Sequence, residues 1–361
     1  MLYDNTTIQS IFDFSVRLFK EAAVTKENVL ISPISLLYVL ALTQYGARGN
    51  TLAQMEAVTG ADADTLIRVL GNIIPDMGET LRAANAVLLN DDAAINYNHD
   101  FLNALKNSMN TGLFKGIFDE KLCIRINDWV NSQTRGQISR IIDHISPTSL
   151  MYIFNALTFN APWETQYSDS DISKHTFTTE TGRKQTTTFL FSEEKQYLSD
   201  KYSYGFMKPY ADKNYAFVAL LPNYRVSFNR LISTLTGEQV QSLLNNAQNR
   251  SIRTGMPKFA LRYELNPVNI LNGMGIIDAS SDKADFSGIA DSCIPVYINQ
   301  ASQMCTITLD EYGTKCAAVT YTILTSLSGM YVCLDRPFMY MIIDTHTKLP
   351  LFMGTIRKIP K

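Results

Sequence analysis

The side chains best suited to acid–base or metal chemistry are few, and their spacing argues against an enzyme. The four histidines are His99, His144, His175 and His346. None belongs to an H-E-x-x-H segment, which would place two imidazoles on one helix face around a zinc ion. No G-x-S-x-G turn for a nucleophilic serine occurs, and no phosphate-binding loop. We therefore predict no catalytic residue, no metal site and no cofactor, and a triad assembled from distant Ser, His and Asp residues stays open as a hydrolase alternative.

One stretch of the chain, from Glu311 to Ile323, has side chains that alternate in size. Every second residue is small: Thr314, Cys316, Ala318, Thr320 and Thr322. The other register holds Lys315, Ala317, Val319, Tyr321 and Ile323. This alternation predicts a strand with one face suited to tight packing. The absence of proline leaves every backbone N–H able to bond, as a central strand requires. By its residues alone, the stretch fits a latent strand or a flexible polar loop.

The elements that must position this stretch are helical in the first third of the chain and extended afterwards. Apolar spacing predicts helices over residues 8–19, 34–45, 65–74, 98–110 and 124–133. Aromatic and branched runs predict strands over residues 151–159, 215–221, 304–309 and 338–343. Helices first and strands later indicate an α+β fold. Because no linker or repeat interrupts the pattern, we predict a single domain over residues 1–361.

Composition restricts the partners. The 361 residues are 46% hydrophobic and 18% charged, with a formal net charge of -2. The chain lacks the basic excess of nucleic-acid-binding proteins, and no apolar run approaches the roughly 20 residues needed to cross a bilayer. We therefore predict no nucleic-acid partner and no membrane association. The segment Met1-Leu2-Tyr3-Asp4-Asn5 does not resemble a secretory signal.

The five cysteines also argue against a structural metal site. They are Cys123, Cys293, Cys305, Cys316 and Cys333. The number is odd, the positions are scattered, and no two form a C-x-x-C pair. This pattern favours small buried apolar residues over a disulfide framework or a zinc site.

Short motifs occur along almost the whole chain. They are Asn28-Val29-Leu30-Ile31-Ser32-Pro33-Ile34-Ser35, Asn127-Asp128-Trp129-Val130, Asn155 eight residues before Trp163, Pro257-Lys258-Phe259, Ala284-Asp285-Phe286-Ser287-Gly288, Asp335-Arg336-Pro337-Phe338 and Pro350-Leu351-Phe352-Met353-Gly354. Together with Glu311-Tyr312-Gly313-Thr314 and the small residues after it, these motifs resemble those of the serpin family, and they occur in the same order along the chain. Each motif alone is weak, but so many in register are specific.

The resemblance implies both a fold and a mechanism. Serpins pack helices around a large, mainly antiparallel sheet with two smaller sheets, and they expose a reactive-centre loop, here about residues 312–334. A serine protease cleaves the loop as a substrate and becomes attached to it as an acyl-enzyme. The loop then inserts as a new strand in the large sheet, drags the protease along and traps it. The resemblance thus implies a monomeric suicide inhibitor whose covalent partner is a serine protease.

The resemblance also assigns roles to individual positions. Family spacing places the scissile bond at Leu327-Ser328, and Leu324, Thr325 and Ser326 are alternative cleavage points. A leucine there suits proteases with chymotrypsin-, elastase- or subtilisin-like pockets and disfavours trypsin-like ones. The hinge residues are Glu311, Gly313, Thr314, Cys316, Ala317, Ala318 and Thr320. The shutter residues, which hold the sheet where it opens, are Ser32, Ser35, Asn155 and Gln303. Trp163 marks the breach, where insertion begins.

Some residues depart from the family pattern, and alternative functions stay open. Gln303 stands where many serpins have a shutter histidine, and Asn160-Ala161 replaces the usual Lys-Gly. One rival is a non-inhibitory serpin, a carrier or chaperone, although the small residues of the hinge argue against it. Another is inhibition of papain-like cysteine proteases through a thioester. Family habit favours extracellular action, and an intracellular role stays open.

Overall fold

A computed structural model describes residues 5–73, 80–91, 95–107, 111–147, 149, 151–291, 297–298, 301–314 and 330–360. The α-helices are α1 Asn5–Ala22, α2 Pro33–Gln44, α3 Gly49–Thr59, α4 Ala63–Ile73, α5 His99–Asn107, α6 Glu120–Gln133, α7 Phe228–Thr234, α8 Gly237–Asn245 and α9 Val268–Met274. Short 3-10 turns occur at Asp169–Asp171 and Asp278–Ser280. None of the described helices is long and apolar enough to span a membrane.

The strands fall mainly in the second half of the chain. They are β1 Val29–Ile31, β2 Leu81–Asn90, β3 Asn96–Tyr97, β4 Thr111–Gly116, β5 Met151–Phe159, β6 Ala161–Pro162, β7 Ile172–Thr178, β8 Lys184–Ser199, β9 Ser203–Pro209, β10 Tyr215–Pro222, β11 Gln248–Pro257, β12 Phe259–Leu265, β13 Ala290–Asp291, β14 Ser302–Leu309, β15 Gly313–Thr314, β16 Met330–Cys333, β17 Phe338–Asp344 and β18 Pro350–Ile356.

The helices and strands predicted from apolar spacing are all present, but the division into a helical third and a later extended part is wrong. Strands β2 and β4 lie within the first third, and helices α7, α8 and α9 lie after it. All ten residues of β2 are buried. A strand buried on both faces lacks polar alternation, so a run of Leu and Ala residues there does not look extended.

The described chain divides by its contacts into two compact units, each assembled from separate segments. The first unit comprises Met1–Phe14, Pro33–Thr158 and Tyr263–Thr306, and the second comprises Ser15–Ser32, Phe159–Arg262 and Ile307–Lys361. The prediction of one domain over residues 1–361 stays a prediction.

The first unit is built on parallel strand pairs covered by α6. Strand β5 pairs in parallel with β14, from Phe154 opposite Ser302 to Thr158 opposite Thr306. Side chains from α6 and β2 form an apolar core with those of β5. The Asn127 side chain of α6 binds the following segment, because its Oδ1 accepts from the Ile141 N–H at 2.8 Å and its Nδ2 donates to the Ile142 carbonyl at 2.8 Å. The motif at residues 127–130 is thus a packing motif.

The second unit contains a nine-stranded, mainly antiparallel sheet. Its strand order is β1-β18-β17-β10-β9-β8-β11-β16, and β7 pairs with β8. The central strands β10 and β18 are buried along their whole length. Strand β16 at the end of this order is parallel to β11, from Ile252 opposite Met330 to Gly255 opposite Cys333.

Candidate functional site

The predicted hinge begins as a two-residue strand in the second unit. Strand β15 lies between β14 and β6, because Thr314 pairs antiparallel with Leu309 on one side and with Ala161 on the other. The turn into it is held by Asp310, whose carboxylate accepts from the N–H groups of Tyr312 at 3.0 Å and Gly313 at 3.2 Å. Gly313 and Thr314 are therefore already in strand conformation.

Gly313 is required because the neighbouring backbone comes very close. A Cβ at this position would lie 2.7 Å from the Cα of Pro162 and would also collide with the Ala161 carbonyl. Because both obstacles are backbone atoms, no side-chain movement would relieve the clash. The hinge glycine is thus explained by close strand packing.

Aromatic residues enclose Thr314. The hydroxyls of Thr314 and Tyr210 are hydrogen-bonded at 2.8 Å, and both side chains are fully buried. The Trp163 ring stacks on Tyr210 with a centroid distance of 4.6 Å. Its indole N–H donates to the Asp310 carbonyl at 2.9 Å. The position predicted as the breach therefore contacts the hinge turn through Asp310 and the hinge strand through Tyr210.

An ion pair fixes the start of the hinge on its outer side. The Lys258 ammonium binds the Glu311 carboxylate, and the Glu311 carbonyl accepts from the Tyr167 N–H at 3.1 Å. Burial opposes ionisation of Glu311, but the hydrogen bond from Lys258, a hydrogen bond from the Glu311 backbone and the charge of Lys258 together outweigh it and lower the pKa of the carboxyl. Glu311 is therefore charged and held at neutral pH.

A buried ion pair lies beneath the same aromatic residues. Lys208 is 2.8 Å from Glu194, and their side chains are 2% and 7% exposed. The Lys208 ammonium also lies 4.6 Å from the centre of the Tyr167 ring and 5.4 Å from that of Trp163. Burial alone would lower the pKa of Lys208, but Tyr167 and Glu194 outweigh burial and raise it.

Sequence reasoning missed Lys208, Glu194 and Tyr210. A signal for the first was present, because Lys208 is a charged residue inside the run Phe206-Met207-Lys208-Pro209-Tyr210, which is otherwise apolar and aromatic. A charge in such a run requires a buried partner. No sequence pattern identifies Glu194 as that partner.

Asn155 contacts two of the other three predicted shutter residues, Ser35 and Gln303, in the first unit. Asn155 donates through Nδ2 to the Ser35 hydroxyl and to Asn85 Oδ1, the latter at 2.6 Å. Gln303 Nε2 donates to Asn155 Oδ1 at 3.2 Å. We call Ser35, Asn85, Asn155 and Gln303 the amide cluster. Gln303 thus supplies a donor at the position where many serpins have a histidine.

The other predicted site residues lie elsewhere. Ser32 belongs to the second unit, where its hydroxyl donates to the Leu351 carbonyl at 2.7 Å. The remaining hinge and cleavage residues lie outside the described residues, and they are Cys316, Ala317, Ala318, Thr320, Leu327 and Ser328. Their roles stay predictions.

Replacing Asn155 by alanine should lower the free energy of unfolding by about 2–3 kcal/mol. The change removes the hydrogen bond to the buried Asn85 Oδ1 and the acceptor that Asn155 offers to Gln303 Nε2, and a buried polar group left unsatisfied costs about 1–3 kcal/mol. Urea denaturation followed by tryptophan fluorescence measures the effect. Asn249→Ala, at an exposed strand position, is the matched control and should change stability by less than about 0.5 kcal/mol. Equal midpoints for both variants would contradict the role of the cluster.

Comparisons with known proteins agree with this geometry. A family model described as Serpin (serine protease inhibitor) matches residues 9–359. The native-state crystal structure of tengpin, a thermophilic serpin, is 36% identical, covers 99% of this chain and 95% of its own, and has a TM-score of 0.92. The latent state of tengpin is 35% identical, covers 99% of each chain and has a TM-score of 0.87. Intracellular coagulation inhibitor 2 of Tachypleus tridentatus is 25% identical over 97% of this chain and 90% of its own.

Proposed function

Because this chain belongs to the serpin family, we propose that it is a suicide-substrate inhibitor of serine endopeptidases and not an enzyme. The predicted serpin fold is confirmed by the likeness to tengpin. The inhibitory mechanism rests chiefly on one observation. The hinge strand β15 is already paired on both sides, with the small, fully buried Thr314 at its end.

The mechanism requires the strand to lengthen beyond Thr314. The next inward residues, Cys316, Ala318 and Thr320, are small, so a growing strand would meet little steric resistance. To make room, β5 and β14 would separate and break the pairing that runs from Phe154–Ser302 to Thr158–Thr306. Their edges would then pair with the new strand in antiparallel fashion, and no backbone hydrogen bond would be lost overall.

Two buried hydroxyls favour this separation. Within the described residues, the side-chain oxygens of Thr158 and Thr306 are buried and have no hydrogen-bond partner. They lie opposite each other at the last paired position of β5 and β14. Because an unsatisfied buried hydroxyl costs about 1–3 kcal/mol, the closed sheet is strained here. Separation of the two strands would free both hydroxyls to find partners.

Trapping depends on a competition of rates. After the protease serine attacks the loop carbonyl, the peptide bond breaks, the new amine leaves, and an ester joins loop and protease. Water would hydrolyse this ester unless insertion first distorts the protease active site. The trapped fraction is therefore the rate of insertion divided by the summed rates of insertion and hydrolysis.

The target class follows from the residue at the cleavage point. We propose that the protease cleaves Leu327-Ser328, with Leu324, Thr325 and Ser326 as alternatives. A leucine fills an apolar pocket of chymotrypsin-, elastase- or subtilisin-like type. It offers nothing to the buried carboxylate of a trypsin-like pocket. The inhibitor acts as a monomer in this proposal. Its compartment stays a prediction, because one relative is named an intracellular inhibitor.

The test is incubation of the purified chain with chymotrypsin, pancreatic elastase, subtilisin, trypsin and papain. Denaturing gel electrophoresis should show a boiling-resistant band at the combined mass for at least one of the first three. Mass spectrometry should find a released peptide that begins at Ser328. Cleavage without any such band would overturn the proposal in favour of a non-inhibitory carrier or chaperone. A stable adduct with papain alone would transfer the activity to cysteine proteases.

A further inference from the structure

Three potential metal ligands meet in the second unit at positions that are distant in the sequence. They are His175 on β7, Cys333 at the end of β16 and Asp335 just after it. One donor atom of each, an imidazole nitrogen, the thiol sulfur and a carboxylate oxygen, lies within 4.8 Å of the other two. Motifs defined by sequence spacing do not identify this cluster, because His175 and Cys333 are far apart in the sequence.

The surroundings leave space for the thiol. Cys333 pairs with Gly255, and a Cβ on that glycine would lie 3.1 Å from the Cys333 sulfur. The His175 ring packs against the rings of Phe189 and Phe191 at centroid distances of 4.9 and 6.0 Å. These contacts fix the imidazole against an apolar wall. Cys333 is a free cysteine, buried to 8% exposure.

The three donors do not neutralise one another by direct pairing. The Asp335 carboxylate forms an ion pair with Arg336 at 3.1 Å, and Arg336 also donates to the Tyr204 hydroxyl at 2.8 Å. The Cys333 thiol is hydrogen-bonded with the side chain of Tyr331. Each of these partners is partly exposed, so each can turn to water without leaving an unpaired buried group.

The donor set selects the ion. Mg²⁺ and Ca²⁺ prefer oxygen ligands, whereas a mixture of sulfur, nitrogen and oxygen suits Zn²⁺. Zinc bonds of about 2.0–2.3 Å in tetrahedral geometry place donor atoms about 3.3–3.7 Å apart. The observed limit of 4.8 Å therefore needs a contraction of at most about 1–1.5 Å, within the reach of side-chain rotation.

We propose that His175, Cys333 and Asp335 bind one zinc ion, with water as the fourth ligand. As the zinc–sulfur bond forms, the thiol proton passes to the buffer, and no oxidant or reductant takes part. The ion ties β16 to β7. Because β16 is the C-terminal part of the predicted loop of about residues 312–334, zinc holds that end of the loop in the sheet. Metal binding itself does not rest on the proposed inhibitory function.

A nucleophilic role for the same residues is disfavoured. Cysteine and histidine side by side can form a catalytic pair, but the thiol must then ionise readily. Burial raises the pKa of the Cys333 thiol to about 11. At neutral pH the thiolate is therefore scarce, which argues against covalent catalysis by Cys333.

The experiment uses the full chain without an affinity tag, reduced and stripped with a chelator. Titration with Zn²⁺ followed by calorimetry should give one site per chain, and Co²⁺ should produce a sulfur-to-cobalt charge-transfer band. Cys333→Ser should abolish that band, and His175→Gln should weaken zinc binding at least about tenfold. Zinc should raise the melting temperature of the parent chain but not that of Cys333→Ser.

Controls separate this site from other thiols and histidines. His144→Gln changes an exposed histidine, and the double variant Cys293→Ser/Cys316→Ser removes cysteines outside the described residues. Both should bind zinc as the parent does and keep the cobalt band. A parent chain without a cobalt–thiolate band, or zinc binding that Cys333→Ser leaves unchanged, would overturn the proposal. The result of the protease-inhibition assays does not affect these zinc and cobalt measurements, so failure of the proposed function can be distinguished from failure of the zinc site.

Discussion

Thr314→Arg should convert the chain from an inhibitor towards a substrate and lower the ratio of trapped to released protease about 100-fold. Thr314 is fully buried between β14 and β6, with its hydroxyl bonded to Tyr210. A guanidinium in place of that hydroxyl would meet the Tyr210 ring and the Trp163 ring stacked on it. The larger, charged side chain should therefore leave the space between β14 and β6 before cleavage, and insertion would have to bury it. Burying an unpaired charge costs several kcal/mol, and about 3 kcal/mol on the insertion step slows it about 100-fold. Hydrolysis of the acyl-enzyme is then faster than insertion, and the protease is released.

The measurement is the number of inhibitor molecules consumed for each protease molecule trapped, from titration and denaturing gels. Thr314→Ser is the matched control, because it keeps the hydroxyl and the small volume and should trap as the parent does. The Thr314→Arg chain should still be cleaved at the parental rate, since the protease contacts the loop far from residue 314. An arginine variant that traps as efficiently as the parent would refute strand insertion at this hinge.

Leu327→Arg should reverse the protease preference. Inhibition of chymotrypsin-like proteases should become at least about 100-fold slower, because an apolar primary pocket has no partner for a guanidinium. Inhibition of trypsin should rise by a similar factor, since its pocket carries a buried carboxylate. Association rates measured with both proteases test the change. The trapping step should be unaffected, because the hinge is intact.

Leu327→Phe is the matched control for size and polarity, and it should keep chymotrypsin inhibition. The alternative cleavage points give the experiment a second outcome. If Leu324→Arg, rather than Leu327→Arg, creates the trypsin inhibitor, the scissile bond lies three residues earlier than family spacing implies. If neither substitution alters the preference, the loop does not present a leucine to the protease pocket.

Much of the architecture follows from local patterns. Helix α2 could be placed from Ser32-Pro33 and the apolar run behind it, and all its residues from Pro33 to Gln44 are buried. Strands such as β17 could be placed because aromatic and branched residues cluster between turn signals. Strand β2 was missed, because burial on both faces removes the alternation that identifies a strand.

The candidate site was predictable only in part. Gly313 and Thr314 could be identified from the resemblance and from the small register of the loop. The contacts around them join residues far apart, as Tyr210 and Thr314 are separated by 104 positions. Sequence order carries no record of which polar groups will share a buried site. The pairing of Lys208 with Glu194 is a further case.

By itself the sequence determined the family, the serpin fold and the alternation of small residues after Thr314, because these depend on local order and on motifs in register. Tertiary structure alone decided which side chains meet. It placed Asn85 in the amide cluster and Tyr210 on Thr314, and it brought His175 of β7 together with Cys333 and Asp335 at the end of β16. The physical reason is that strand pairing and core packing bring distant positions together, and hydrogen bonds and ion pairs then form wherever burial leaves polar groups without water.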